Sequence, residues 1–311
     1  MSIFLSALLL TVATALVTAI PGVFVVLRRS AMLVDGIGHA VLPGIVAGFF
    51  ITRNLESPLL IIGAALSGLV VVLGAELIQR TGLVSGDAPQ GLVFPALFAA
   101  GVLAITLGFG DIHLDTDMVM LGDINLAAMN QWIVHTGSGV YSLGPSYLYL
   151  MLAIGVVNVA FITLNYRQLK VTTFDPAFAR ATGIPAGAVN AAFMFLVSLT
   201  VTAAFEAIGA VLVISLVVAP AATAQLFVTR LGTMFLLTAV LAAGVGAGGF
   251  ILAYHLNAPT SAMMALSYGV VFMIALLISQ LRHRHPSERF GRQVPEQKPV
   301  RGPIETELPI Q

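Results

Sequence analysis

Asp35 and His39 stand four residues apart in AMLVDGIGHAVLPG (31–44), inside one of the most apolar parts of the chain. On a helix, residues i and i+4 share a face, with Cβ atoms about 5–6 Å apart. A carboxylate oxygen and an imidazole nitrogen placed in this way can share one cation. They can also hydrogen-bond and hold helices together. An uncompensated charge in a bilayer is costly, so intramembrane Asp and His face a partner or an aqueous path. Gly36, Gly38, Pro43 and Gly44 surround the pair and permit close backbone approach and a break in the helix. Asp35 follows Arg29 by six residues, which places it nearer the inner face of a membrane than the outer.

A second group of ligand-type residues lies in GFGDIHLDTDMVMLGDI (108–124), which holds Asp111, His113, Asp115, Asp117 and Asp123 and no Lys or Arg. Asp111/Asp115 and His113/Asp117 repeat the i, i+4 spacing if the segment is helical. Clustered carboxylates at a pore mouth concentrate cations. Oxygen ligands with one or two imidazoles suit Mn, Fe(II) or Zn, and the lack of sulfur ligands argues against Cu(I). The other reading is an ordinary solvated acidic loop. GFGD also fits the GxGD pattern of intramembrane aspartyl proteases. Those enzymes need a second aspartate in another span, commonly in a Tyr-Asp pair, and no Tyr-Asp pair occurs here.

VTTFDPAFARATGIPAGA (171–188) carries signals of a different kind. Asp175 suits an N-cap, Pro176 the first helical position, Gly183 the C′ position, and Pro185 prevents continuation. These signals predict a helix of about seven residues, too short to span a membrane, that serves either as a docking element for a cytosolic partner or as a plain connector. Among other charged residues, Glu76 precedes Arg80 by one helical turn and reads as an interfacial pair. Glu206 lies near an outer helix boundary, either as a pathway acid or as an interfacial hydrogen-bonding group. His255 reads as an outer-loop residue.

The elements that must position these residues follow from composition. Of 311 residues, 58% are hydrophobic and 9% charged, with a mean hydropathy of +0.99, whereas a soluble domain has about 25% charged residues. The class is all-α, a polytopic helical membrane protein. Apolar runs at 4–27, 31–51, 58–78, 92–109, 145–165, 187–205, 207–228, 233–253 and 260–281 predict about nine spans, or eight if 187–228 is one broken segment. With the N-terminus outside, every one of the 14 Lys and Arg residues except Arg53 falls inside, and the C-terminus is cytoplasmic. Residues 1–281 form the transmembrane domain. Residues 282–311 form a polar, Pro-containing cytoplasmic tail, expected to be disordered. The chain has no cysteine, so disulfides, thiolate metal sites and cysteine nucleophiles are excluded. Neither lysine, Lys170 or Lys298, follows a GxxxxG loop, so any ATPase must be another subunit.

Four stretches together resemble the permease subunit of metal-ion ABC transporters: RRSAMLVDGIGHAVLPG (28–44), HLDTDMVMLGD (113–123), TFDPAFARATGIP (173–185) and AIGAVLVISLVVAPAATAQLF (207–227). They occur in the family's order and frame residues 28–281. The resemblance implies a metal pathway lined by Asp35 and His39, with an outer acid contributed by Asp115 first, then Asp111, then Asp117. It implies that Phe174, Asp175, Pro176, Ala179 and Gly183, within a coupling helix at about 174–183, dock on the ATPase. It also implies two ATPase subunits, a second permease chain (identical or paralogous) and an extracytoplasmic metal-binding protein, all at a bacterial cytoplasmic membrane. HAVLPG and HLDTD resemble the manganese/iron branch more than the zinc branch, although LGD (121–123) stands where close relatives often have LGE. The expected substrate is Mn²⁺ or Fe²⁺, with Zn²⁺ also accommodated. No cofactor is permanently bound, and the chain performs no covalent chemistry. The alternatives are a permease for an iron chelate and an intramembrane aspartyl protease.

Overall fold

In lipid every backbone N–H and C=O must be satisfied within its own segment, so long apolar runs fold as helices. The computed structural model describes residues 3–53, 57, 59–84, 88–108, 123–136 and 139–283. In chain order the elements are α1 (Ile3–Leu27), α2 (Ala31–Thr52), α3 (Leu59–Arg80), α4 (Ala88–Gly108), α5 (Ile124–Met129), β1 (Gln131–Thr136), β2 (Gly139–Pro145), α6 (Ser146–Leu164), α7 (Tyr166–Phe174), α8 (Pro176–Ala181), α9 (Ala186–Ile208), α10 (Ala210–Gln225), α11 (Leu231–Leu256) and α12 (Thr260–His283). Eight of these helices are long and apolar enough to cross a membrane: α1, α2, α3, α4, α6, α9, α11 and α12.

The seventh apolar run, 207–228, is shorter than its hydropathy suggests. Gly209, at φ 80° and ψ 164°, ends α9 and leaves α10 with 16 residues. That is about 24 Å of helix against a hydrocarbon core of about 30 Å. The run 187–228 is therefore two helices joined at one residue that only glycine accommodates readily.

α1 runs through the centre and packs against α10 and α11 on one side and α6 on the other. α2 lies between α3 and α4, and α9 bridges the halves by touching α2, α3 and α6. Several buried polar side chains tie neighbouring helices together. Ser198 Oγ donates to the Ala65 carbonyl on α3 at 2.8 Å, Asn158 Nδ2 donates to Thr200 Oγ1 at 2.7 Å, and Tyr268 OH donates to the Ala242 carbonyl at 2.6 Å. Such bonds join helices where the hydrophobic effect, absent between segments already in lipid, does not.

Two elements go beyond the sequence reading. An antiparallel hairpin, β1–β2, runs in register from Ile133 opposite Ser142 to Thr136 opposite Gly139, on the outer side before α6. A nine-residue helix, α7, precedes the short capped helix. His255 lies in the last turn of α11 rather than in a loop. Arg282 and His283, read as the start of the tail, complete α12.

Candidate metal pathway and cytoplasmic face

α2 begins at Ala31, so Asp35 and His39 lie about 6 and 12 Å along it from its cytoplasmic start. Pro43 sits inside α2 without ending it. His39 Nε2 and Asp35 Oδ1 are 3.7 Å apart. That separation is too long for a hydrogen bond, and both residues belong to one helix, so the pair does not tie two helices together. The side chains are 36% (Asp35) and 40% (His39) exposed, which is unusual for polar groups on a spanning helix. His39 is oriented by α4: its ring stacks on Phe94 at 5.4 Å between centroids and meets the edge of Phe98 at 6.2 Å. Two ligand atoms on one divalent ion, at bonds of about 2 Å, stand about 3 Å apart. Small side-chain rotations would bring this oxygen and nitrogen to that spacing.

On one side of the pair, Phe205 and Val201 of α9 and Val213 of α10 close a gap of about 10 Å³, at the lower limit for a single water molecule. The break at Gly209 lies at the edge of this gap, beside Ala210. The pair is thus sealed on the α9–α10 side while its side chains keep partial exposure. The larger void is elsewhere, at the cytoplasmic ends of the helices. A cavity of about 930 Å³ lies there between the α1–α2 turn, the start of α2, α3, α4, α7, α8 and α9, with Arg28, Glu76, Gln90, Arg180 and Asn190 in its wall. Glu76 thus faces this cavity; the side chain of its expected partner Arg80 is outside the described residues.

The remaining sequence-derived residues separate into two groups. Asp111, His113, Asp115 and Asp117 lie outside the described residues, as does the tail from 284 onward. Among the described residues no cluster of three or more His, Asp or Glu could hold a metal. Asp123 caps α5, accepting from Asn125 N at 2.8 Å. Glu206 accepts from Tyr147 OH at 2.7 Å, which ties the outer ends of α9 and α6 together.

The second group builds α8. Asp175 Oδ1 accepts from Phe178 N at 2.9 Å, and Pro176 opens the helix. At the other end Ile184 N donates to the Ala179 carbonyl and Gly183 N to the Arg180 carbonyl, with Gly183 at φ 74°. Together these two bonds form a Schellman stop, which requires the left-handed conformation at C′. Ala179 is buried, while Phe174 and Phe178 are 59% and 54% exposed. The small residue faces the protein and two phenylalanines face outward at the cytoplasmic surface.

Bundled spans around a partly exposed ionisable pair, with a capped helix projecting on the cytoplasmic side, define the membrane-spanning subunit of a transporter. The sequence profile of the ABC 3 transport family matches residues 1–279, and the chain belongs to that family. It is 38% identical over 271 residues to the zinc transport system membrane protein TroD of Treponema pallidum, covering 87% of this chain and 72% of that one. It is 37% identical over 258 residues to the manganese transport system membrane protein MntD of Bacillus subtilis, covering 83% and 86%. Its fold matches that of PsaBC from Streptococcus pneumoniae, solved in complex with Fab, with a TM-score of 0.70 at 23% identity over 89% of this chain and 91% of that one. The chain is therefore an ABC transporter permease of a bacterial cell membrane rather than an enzyme, with ATP hydrolysis left to a partner chain. A proteolytic role is not favoured.

Proposed function

We propose that this permease imports a divalent first-row metal ion, Mn²⁺ or Fe²⁺ in preference to Zn²⁺, through a path on which Asp35 and His39 are successive ligands. The observation that carries this is the pair itself. A carboxylate and an imidazole stand one turn apart on a spanning helix, partly exposed and not hydrogen-bonded to each other. One carboxylate and one imidazole form a hard-to-intermediate donor set without sulfur. A binding site on such a path holds its ion only loosely enough to let it leave. Asp115, with Asp111 and Asp117, supplies the outer acid. The ion preference is supported by the manganese relative; the donor set suits all three ions, and the zinc relative is the reason to test them together. A pair exposed at this depth faces a second permease, identical or paralogous, rather than lipid. Two ATPase subunits and an extracytoplasmic binding protein complete the transporter.

The test is ATP-dependent uptake by the complete transporter in proteoliposomes, with Mn²⁺, Fe²⁺ and Zn²⁺ offered separately and in competition. Uptake dominated by Zn²⁺ overturns the preference. Uptake of an iron chelate but of no free ion overturns the reading.

In this reading α8 docks on the ATPase, with Phe174, Asp175, Pro176, Ala179 and Gly183 giving it its shape. Loss of an N-cap side chain costs about 1 kcal/mol, a large share of the stability of a six-residue helix. Asp175→Ala is expected to lower metal uptake several-fold while ATP hydrolysis continues. Paired uptake and phosphate-release assays check this; equal losses in both would show that Asp175 serves assembly instead.

A further inference from the structure

Arg28, the first residue after α1, is half-buried and each of its three nitrogens donates one hydrogen bond. Its Nε donates to Thr173 Oγ1 at 3.0 Å, its Nη2 to Thr172 Oγ1 at 3.3 Å, and its Nη1 to Asn190 Oδ1 at 2.5 Å. The acceptors are themselves fixed. Thr173 Oγ1 donates to the Leu169 carbonyl and Thr172 Oγ1 to the Gln168 carbonyl, both within α7. The guanidinium carbon lies 4.8 Å from the Phe193 ring centroid and 5.9 Å from that of Phe24, and these rings meet edge to face. One planar group thus joins the end of α1, the last turn of α7 and the first turns of α9. Burial lowers its pKa to about 10, which leaves it cationic at neutral pH.

Its position along the chain matters as much as its bonds. Thr172 and Thr173 immediately precede Phe174 and the Asp175 cap of α8. Arg28 is three residues before Ala31, where α2 starts on its way to Asp35 and His39. The intervening turn is stiff: Arg29 sits at φ 56°, and both Ser30 N and Ser30 Oγ donate to the Val25 carbonyl. A displacement of α7 therefore reaches α2 through one side chain and a three-residue turn.

We propose that Arg28 is a positioning residue that transmits movement of α7–α8 to the start of α2, and so to the Asp35–His39 pair. The proposal rests on the transport reading above. It explains why the residue is arginine. A planar fork reaches three acceptors on different sides and stacks on an aromatic face, whereas lysine supplies the same charge as a single point. A purely anchoring role would fix α1 to α7 just as well but would leave the ratio of ions moved to ATP consumed unchanged.

The test uses the complete transporter carrying Arg28→Lys, with two readouts. The first is metal ions moved per ATP, expected to fall about ten-fold, within the usual span of coupling between sites, while assembly and ATP hydrolysis persist. The second is independent of the metal. The chain has no cysteine, so spin labels at Met32→Cys on α2 and Tyr254→Cys on α11, both exposed, report the movement of α2. ATP should change their separation with Arg28 present and not with lysine. Should Arg28→Lys fail to assemble, Thr173→Val and Asn190→Ala remove the acceptors singly and should each reduce both signals. Wild-type ratios and movements in every variant overturn the proposal, as does a wild-type α2 that does not respond to ATP. An ATP-driven movement lost with lysine, in a transporter that carries none of the three ions, upholds the transmission and overturns the metal reading instead.

Discussion

Asp35→Ala and His39→Ala are each expected to abolish metal uptake, by at least about a hundred-fold, while the transporter still assembles. Loss of an outer partner that merely orients a metal ligand costs about 10–100-fold, and here the ligand itself is removed. The structural cost of Asp35→Ala is small, because the carboxylate is partly exposed and the nearest imidazole is 3.7 Å away. His39→Ala removes a ring that packs on Phe94 and Phe98, so His39→Gln is the cleaner companion, keeping side-chain bulk and hydrogen-bonding capacity without the imidazole. Asp35→Glu should retain part of the activity, since it keeps the charge and moves it by one methylene. Uptake of radioactive Mn²⁺ in proteoliposomes, with size-exclusion profiles of the same preparations, decides the matter. Wild-type rates in Asp35→Ala would remove the carboxylate from the path.

The transport reading also accounts for an asymmetry around the pair. It is sealed by Phe205, Val201 and Val213 toward α9 and α10, with room for about one water. Its side chains nevertheless stay partly exposed. The open cavity near the cytoplasm is walled by Arg28 and Arg180 as well as Glu76, a balance of charge that does not attract a free divalent cation. The Gly209 break at the edge of this seal is where α9 and α10 can shift relative to each other beside the pair. A glycine-dependent helix break beside an ionisable pair is the arrangement found where helices break to line a path.

Much of this was legible in the sequence, and the parts that were not share physical causes. Apolar runs of about 20 residues have one good solution in lipid, so the long spans and their direction follow from hydropathy and from the Arg and Lys distribution. The ends of α8 follow from local chemistry, because Asp175, Pro176 and Gly183 each act within four residues of their own position. α7 was missed because YRQLKVTTF is short, and its β-branched run at 171–173 disfavours helix. Contacts with Arg28 and α9 supply the compensation. The hairpin was missed because QWIVHT and GVYSLGP are short runs too brief for a span, and their pairing depends on each other rather than on hydropathy. The extent of α10 depends on one backbone angle at Gly209. Arg28 counted only as a charge on the inner side: its partners are 145 and 162 residues away, and no local pattern encodes such distances. The outer acids Asp111, Asp115 and Asp117 rest on the sequence alone.

Gly44→Leu is expected to leave little folded transporter, and this follows from backbone geometry rather than from any site. α2 and α3 approach so closely that a β-carbon on Gly44 would lie 2.6 Å from the Gly63 carbonyl oxygen and 2.7 Å from Ala64 N. These are main-chain atoms of a neighbouring helix, so no side-chain rotation relieves the overlap. Overpacking a core costs about 1–3 kcal/mol when side chains can yield, and here the cost should reach or exceed about 3 kcal/mol because the helices themselves must separate. Small residues at such crossings let helices approach without a hydrophobic driving force. α2 would then be displaced from α3 at the position next to Pro43, itself in close contact with Gly101 of α4, and the Asp35–His39 pair would move with it. Gly244→Ala on α11 provides the contrast. A β-carbon there meets nothing within 4 Å, and alanine is the better helix former by up to about 1 kcal/mol, so that variant should match or exceed the wild type. Thermal unfolding in detergent, together with the yield of monodisperse protein, measures both. A Gly44→Leu protein as stable as Gly244→Ala would mean that α2 and α3 do not meet through their backbones, and the placement of the metal-binding pair would have to be redrawn with them.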